Sequence, residues 1–171
     1  MFDRLIDIVV SFWESLLPFT VIRQFEQGVI LRLGRFNRVV GPGFHWVIPF
    51  IEAYMKDTVV TRTHWSVEQT ARTSDGQLVS IRTIITWHIS DVRKALLECD
   101  GVDDAIRDTY VAAIGDAVSG NDFESLNSRR FVNKLLKDCQ RKAERYGVTV
   151  ESIHISDLIP CNAAIRLVDG K

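Results

Sequence analysis

The first seventeen residues have the hydrophobic period of an amphipathic helix. Their large apolar side chains recur at spacings of three and four, so an α-helix would gather them on one stripe. Together with the adjoining Leu17, this stripe comprises Phe2, Leu5, Ile6, Val9, Phe12, Trp13, Leu16 and Leu17. Asp3, Asp7 and Glu14 fall largely on the opposite face. Pro18 would end or kink the helix, because proline has no backbone N–H and clashes with the preceding turn.

Such a helix is too short and too charged to favour a membrane span. Residues 2–17 would extend over roughly 24 Å, below the ~30 Å hydrocarbon core of a bilayer, and acidic side chains on the path raise the cost. The pattern favours a helix lying in the membrane interface, with the apolar stripe in contact with lipid and Trp13 near the headgroups. Packing on the chain's own domain or on a neighbouring subunit is the alternative, and a short re-entrant wedge around Pro18 is a third arrangement. A secretory signal is disfavoured, because the start is acidic and no small-residue cleavage site follows.

From residue 19 onward the hydrophobic period changes to two, which predicts strands. Residues 20–25 and 29–33 are predicted strands, joined by a tight glycine turn at 27–28. Residues 34–38 are predicted as a second connection. The Gly-Pro-Gly sequence at 41–43 predicts a break in the chain direction.

The loop after this break is rich in large apolar side chains. Phe44, Trp46, Ile48 and Phe50 alternate with smaller or polar residues. A loop of this composition is too apolar to be left in water without a cover. We therefore expect it to lie at a membrane surface or at a contact between subunits.

The remainder of the chain predicts strands, then helices, then one last strand. The predicted strands are 53–60, 65–70, 77–89 and 148–159. The predicted helices are 92–99, which Ser90 or Asp91 caps, one from 102 that Gly120 stops, and one that Asn127 or Ser128 caps and Gly147 ends. In the longest strand one face should form the core: Val79, Ile81, Thr83, Ile85, Trp87 and Ile89. This order predicts an α+β fold.

Charge is distributed unevenly along the chain. The net charge of −1 gives no global field that would recruit nucleic acid. Four arginines stand in residues 23–38 against one glutamate: Arg23, Arg32, Arg35 and Arg38. A basic segment directly after an apolar one suits an anionic membrane, so these arginines are predicted to contact lipid headgroups or a partner. A solvated strand face is the alternative.

The last predicted helix is also basic, with seven cations against two acids over residues 129–145. This face could bind lipid, RNA or an acidic partner, such as the aspartates of residues 100–108 on a neighbouring subunit. A solvated helix face is the simpler interpretation, because no aromatic stacking platform accompanies the charges.

No arrangement of residues indicates catalysis. The cysteines at 99, 139 and 161 are odd in number and form no C-x-x-C pair, so free thiols are expected. The four histidines are scattered and form no zinc-binding motif, and no nucleophile elbow, P-loop or dinucleotide fingerprint is present. We therefore expect a protein that is not an enzyme, without metal or cofactor.

Ordered sequence blocks over about 135 residues resemble the SPFH superfamily, also called band 7, which contains stomatins, prohibitins, flotillins and the bacterial HflK/HflC pair. The specific blocks are GVI at 28–30, LGR at 33–35, GPGFHWVIPFI at 41–51, TSDG at 73–76, YGV at 146–148 and ISDLIP at 155–160. The resemblance is strongest to the stomatin-like branch.

The resemblance implies a membrane-attached, oligomer-forming protein. By this reading, residues 1–22 are the membrane segment, 23–90 a β-rich subdomain, 91–160 a mixed α/β subdomain and 161–171 a tail. Family members usually continue into a long coiled coil, so we expect this chain either to be truncated or to assemble without that helix. The N-terminal segment is also more charged than the family's usual hydrophobic anchor.

Two classes of function are compatible with these features. The first is a membrane scaffold that oligomerises and organises lipid microdomains or cages partner proteins. The second is a non-catalytic regulator that binds one membrane protease or channel. The expected location is the cytoplasmic face of a plasma or inner membrane, and nucleic acid is not an expected partner.

Overall fold

The computed structural model describes residues 19–65 and 68–161 of the 171-residue chain. Its strands are β1 (Phe19–Ile22), β2 (Glu26–Arg32), β3 (Arg35–Val40), β4 (Gly43–Trp46), β5 (Glu52–Thr58), β6 (Arg62–Trp65), β7 (Gln69–Arg72), β8 (Leu78–Ile89) and β9 (Val148–Pro160). Its helices are α1 (Val92–Leu97), α2 (Val102–Ser119), α3 (Phe123–Leu126) and α4 (Arg129–Ala143), followed by a 3₁₀ turn (Glu144–Tyr146). The predicted α+β class is confirmed. The predicted N-terminal amphipathic helix lies outside the described residues.

Contacts divide the chain into two units. Within the described residues, the first unit contains 19–60 and 89–100, and the second contains the rest. The segment boundaries predicted at residues 22, 90 and 160 stay predictions.

The first unit is built around a three-stranded antiparallel sheet in the order β3-β2-β5. Helix α1 packs against β2 and β5, with the Arg93 guanidinium 4.8 Å from the centre of the Phe36 ring. Strands β1 and β4 pair separately as a two-stranded antiparallel ribbon. The core of this unit contains a cluster of Ile22, Ile30, Val40 and Val47, which joins the ribbon to the sheet.

The predicted glycine turn at 27–28 is wrong, because Gln27 and Gly28 lie inside β2. The chain turns earlier, at residues 24–25, and the Glu26 N–H donates to the Arg23 carbonyl at 3.0 Å. Gly28 serves a different purpose. A Cβ added there would lie 2.4 Å from the Met55 carbonyl oxygen, so only glycine lets β2 and β5 approach this closely.

The predicted connection at 34–38 is also shorter in the structure. The hairpin between β2 and β3 turns on two residues, Leu33 and Gly34, with φ values of 50° and 75°. Positive φ at both central residues is the geometry that matches the twist of the flanking strands. β3 therefore begins at Arg35, and the predicted apolar loop begins with strand β4.

The second unit is a sheet with helices packed against its strands. β6 and β7 both pair antiparallel with β8, and β9 also pairs with β8. The predicted core face of β8 is confirmed: Val79, Ile81, Thr83, Ile85, Trp87 and Ile89 are all buried. Helix α2 packs against β7, α4 packs against β9, and the two helices contact each other.

The helix ends follow local sequence signals. Asp91 caps α1 by accepting a hydrogen bond from the Lys94 N–H, and Ser128 caps α4 by accepting one from the Phe131 N–H. Gly120 follows α2, and Gly147 takes the left-handed conformation after the 3₁₀ turn. These predicted caps are confirmed, whereas the one-turn helix α3 was not predicted.

None of the helices in residues 19–65 and 68–161 combines the length and the apolarity that a bilayer crossing requires.

Candidate functional site

The β1–β4 ribbon has one buried face and one exposed apolar face. Thr20 and Ile22 are buried, and the alternation along β1 turns Phe19 and Val21 to the opposite side. Phe19 is paired with Trp46 and Val21 with Phe44, and directly opposed residues of an antiparallel pair share a face. We call these four residues the ribbon face: Phe19, Val21, Phe44 and Trp46. Their exposed fractions range from 38% for Phe19 to 65% for Trp46.

The aromatic rings of the ribbon face contact one another. Phe19 and Phe44 stack with centroids 5.0 Å apart, and Trp46 meets Phe44 edge-on at 5.6 Å. Offset and edge-on contacts of this kind stabilise aromatic pairs by about 0.5–1.5 kcal/mol beyond area burial. The ribbon face is therefore a continuous apolar surface rather than a scatter of single exposed residues.

A buried carboxylate organises the loop after β4. The Glu52 side chain, which is 4% exposed, accepts hydrogen bonds from the Ile48 N–H at 3.1 Å and from the Asn37 amide at 3.2 Å. The Arg38 guanidinium lies 3.6 Å from the same carboxylate. Val47 is buried, while Ile48 and Phe50 remain exposed. Glu52 thus holds the loop in a conformation that keeps its apolar residues in solvent.

Two large apolar side chains stand at adjoining turns of this unit. Leu33 and Phe50 both have positive φ, 50° and 65°, a conformation that is costly for residues with large side chains. The Leu33 N–H donates to the Ile51 carbonyl at 2.8 Å, which joins the hairpin turn to the loop. Leu33 is 76% exposed and Phe50 is 86% exposed. We call these two residues the apolar tips.

The four predicted arginines are all exposed but have different local roles. Arg32 and Arg35 are paired across the hairpin and flank its turn, so cations stand on both sides of the Leu33 tip. Arg38 donates to the Trp46 carbonyl at 2.9 Å and lies near Glu52, so part of its role is to hold the loop. The Arg23 guanidinium lies 6.0 Å from the Phe25 ring.

Glu26 anchors the turn that precedes β2. It accepts a hydrogen bond from the Arg23 backbone N–H at 3.0 Å and another from the Lys56 ammonium at 2.9 Å. These two donors, with the backbone N–H as the larger cause, hold the pKa of the Glu26 carboxyl below its ordinary value of 4.5. The carboxylate therefore stays charged and keeps β2 and β5 tied together at this end.

The structure leaves all four predicted loop residues exposed, namely Phe44, Trp46, Ile48 and Phe50. It adds four residues that were not predicted: Phe19, Val21, Leu33 and Ile51. The alternation along β1 indicates that Phe19 and Val21 share one face of the strand. It does not indicate that they pair with β4, because that pairing joins residues distant in the sequence. The predicted membrane residues from Phe2 to Leu17 lie outside the described residues.

Two of the histidines with described side chains, His45 and His88, each have a hydrogen-bond partner of their own. His45 is 2.7 Å from the Gly41 carbonyl, and His88 is 2.7 Å from the Glu151 carboxylate. In the part of the chain that the structure describes, no group of three or more His, Cys, Asp and Glu side chains is placed to hold a metal ion.

The β-rich first unit and the helix-covered sheet of the second define a two-part α+β domain, and the sequence matches a known family of such domains. Residues 20–168 match the SPFH domain / Band 7 family. The chain belongs to this family, and the predicted resemblance is confirmed.

Several curated proteins are similar to the chain. An uncharacterized protein of Methanocaldococcus jannaschii is 27% identical over 154 residues, covering 89% of this chain and 77% of that protein. Protein HflK of Vibrio parahaemolyticus is 26% identical over 119 residues, covering 70% of this chain and 30% of HflK. Protein unc-1 of Caenorhabditis elegans is 28% identical over 159 residues, covering 88% of this chain and 55% of unc-1. The chain therefore spans about a third to a half of these two longer relatives.

Proposed function

We propose that the chain is a membrane-associated SPFH/band 7 scaffold that self-associates and organises lipid microdomains or cages partner proteins. Its role is non-catalytic, and its place is the cytoplasmic face of a plasma or inner membrane. The observation that carries this proposal is the exposed apolar surface of the first unit. The ribbon face and the apolar tips together leave six large side chains in solvent, with Ile48 and Ile51 beside them.

The position of this surface in the chain favours a bilayer as its cover. Strand β1 begins at Phe19, directly after the amphipathic segment whose apolar stripe we expect in the membrane interface. An apolar surface continuous in sequence with a membrane segment is brought to the same interface. Half-burying six such side chains would contribute on the order of 5–9 kcal/mol before ordering costs.

Charge near the Leu33 tip supports the same assignment. Arg32 and Arg35 stand on either side of this tip, where they would meet phosphate groups if Leu33 entered the acyl region. Each such cation near an anionic surface contributes about 1 kcal/mol. A surface that is apolar at its tip and cationic at its flanks fits the boundary between headgroups and acyl chains.

Vesicle flotation of the full chain tests the proposal. Phe44→Glu with Trp46→Glu should lower partitioning into vesicles of phosphatidylcholine and phosphatidylserine by roughly 10- to 100-fold, because two exposed rings lose their transfer energy and gain charge. The matched control is Ile159→Glu, which changes a side chain of similar exposure, 56%, in the second unit. Circular dichroism melts should show both variants folded.

Equal flotation of the Phe44→Glu/Trp46→Glu variant, the Ile159→Glu control and the unaltered chain would reject the ribbon face as a membrane contact. Deleting residues 1–18 separates the two parts of the surface. We expect this deletion to weaken flotation relative to the unaltered chain. Unchanged flotation after that deletion would reject the N-terminal segment as a membrane contact.

The second candidate function is that of a regulator that binds a membrane protease or channel. The observation that favours it is the match to HflK over 70% of the chain. Self-association without any partner separates the two functions. A scaffold should sediment as a large species in mild detergent at micromolar concentration. A strictly monomeric chain at both low and high salt would favour the regulator.

A further inference from the structure

The outward face of α4 carries a row of cations. Four exposed residues recur at i, i+4, i+7 and i+11, which places them on one side of the helix. We call them the basic row: Arg130, Lys134, Lys137 and Arg141. Arg141 pairs with Asp138 at 3.1 Å. Within residues 19–65 and 68–161, no carboxylate lies at ion-pair distance from the other three.

The outward face of α2 carries the opposite charge. Asp104 and Asp108 are exposed and share one side of the helix at i and i+4. We call them the acidic row. The Asp104 side chain is 79% exposed, with Arg107 at 3.8 Å as its neighbour. Asp116 lies on a different side of α2 and meets Lys142 of α4 at 3.4 Å, so it is not part of this row.

Asp103 does not belong to the acidic row, although its sequence position suggested an intersubunit role. The Arg62 guanidinium contacts both of its carboxylate oxygens, at 3.0 Å and 2.9 Å. This charge-assisted contact ties the start of α2 to β6. Asp103 is therefore used inside the second unit.

The two rows stand on neighbouring helices of one unit. α2 and α4 pack on each other, and a groove of about 250 Å³ between them is lined partly by small or buried residues: Ala113, Ala117, Gly120, Phe131 and Leu135. A flat anionic bilayer laid on these helices would attract the basic row and repel the acidic row. A nucleic acid would meet the same repulsion. The arrangement instead fits a surface that carries both signs of charge.

We propose that the basic row of one copy docks against the acidic row of a second copy of this chain. This contact rests on the proposed function, because it is the joint through which the scaffold would assemble. Each copy contributes one row to each of two contacts, so every contact leaves a free row of each sign for the next copy. Such a head-to-tail contact closes into a ring when its rotation allows closure. Individual exposed ion pairs are weak, but repeated contacts on a common surface act together.

Charge reversal tests the contact in the full chain by sedimentation velocity in mild detergent at about 0.1 M salt. Arg130→Glu with Lys134→Glu, and separately Asp104→Lys with Asp108→Lys, should each weaken self-association at least about tenfold, because like charges then face each other. The control Arg72→Glu with Arg145→Glu changes the net charge as much as the first variant at two exposed arginines outside the basic row. It should sediment like the unaltered chain.

Mixing the two reversed variants gives the decisive measurement. In the mixture, the α4 helix that has become acidic in one variant can meet the α2 helix that has become basic in the other. The acidic row of the first variant and the basic row of the second are unaltered and attract each other as well. Assembly should therefore recover in the mixture although each variant fails alone. Recovery cannot come from a misfolded variant, and circular dichroism melts check the folding of each one independently.

Three results would overturn the contact: reversed variants that assemble like the unaltered chain, folded reversed variants that do not recover on mixing, or an unaltered chain that stays monomeric. The first two results leave the proposed scaffold function standing with a different joint. A monomeric unaltered chain removes the assembly part of the proposed function as well. Vesicle flotation reports membrane binding separately in every case.

Discussion

Gly28 is a residue whose structural role was predicted wrongly from the sequence. Its neighbour Gln27 and the change in pattern predicted a tight turn, but the residue lies in the middle of β2. What requires glycine is the Met55 carbonyl of the adjacent strand. Sequence reveals that a small residue is needed here, but the identity of the crowding atom depends on strand pairing.

Gly28→Ala should lower the free energy of unfolding by about 1–3 kcal/mol, because the new methyl group overlaps backbone that cannot move without disturbing the pairing of β2 with β5. Urea denaturation measures the change. Gly41→Ala is the matched control, since nothing lies within 4 Å of a Cβ at that position. Equal stability of the two variants would contradict the crowding argument.

Cys139 gives a prediction about pH. The thiol lies on the buried face of α4, and this burial raises its pKa from 9.0 to about 11. The unfolded chain loses this proton near pH 9 while the folded chain keeps it, so folded-state stability should fall as the pH rises from about 9 to 11. The loss from this group would be on the order of 2–3 kcal/mol.

Denaturation midpoints at pH 8, 9, 10 and 11 test this dependence. Cys139→Ala should flatten the decline relative to the unaltered chain, whatever its effect at pH 8. Identical slopes would exclude Cys139 as the cause. Cys99 and Cys161 are half-buried, so an alkylating reagent at pH 8 should modify them before it modifies Cys139 in the folded protein.

At the scale of elements, local signals predicted the helices better than the sheets. The caps at Asp91 and Ser128 depend on residues three positions apart, and both are confirmed. The core face of β8 also follows from its own alternation. The β1–β4 ribbon could not be predicted this way, because its partners are separated by more than twenty residues and neither strand alone shows which face is outward.

The loop between β4 and β5 depends on one carboxylate, which gives a prediction at this scale. Glu52→Ala removes the acceptor for the Ile48 N–H and the Asn37 amide. It should destabilise the protein by about 1–3 kcal/mol and speed hydrogen exchange at the Ile48 amide. Glu98→Ala, a change at an exposed glutamate in the same unit, is the control. Unchanged exchange at Ile48 would show that the loop is held by other contacts.

At the scale of the whole molecule, membrane binding and assembly should reinforce each other. A single copy offers a modest apolar surface, and many copies joined together multiply its effect through effective concentration. The folded Arg130→Glu/Lys134→Glu variant keeps the ribbon face and the apolar tips unchanged. It should nevertheless bind vesicles at least about tenfold more weakly than the unaltered chain.

Flotation against protein concentration measures this coupling. The unaltered chain should bind steeply above the concentration at which it assembles, whereas the reversed variant should bind along a shallow curve. Because the altered cations could also touch lipid, the Asp104→Lys/Asp108→Lys variant serves as a counter-test. It adds positive charge, yet it should lose affinity if assembly is the cause, and a gain on anionic vesicles would contradict this explanation.

The two faces of the β1–β4 ribbon also allow stability and recognition to evolve independently. Thr20 and Ile22 face the interior, so selection for a folded domain acts on them. Phe19 and Val21 alternate with them along the same four residues but face solvent, so they can change without opening a cavity. Substitutions at these outward positions should therefore alter the contact proposed for the ribbon face while the domain continues to fold. In this strand of four residues, alternate positions therefore maintain the fold and form the proposed contact surface.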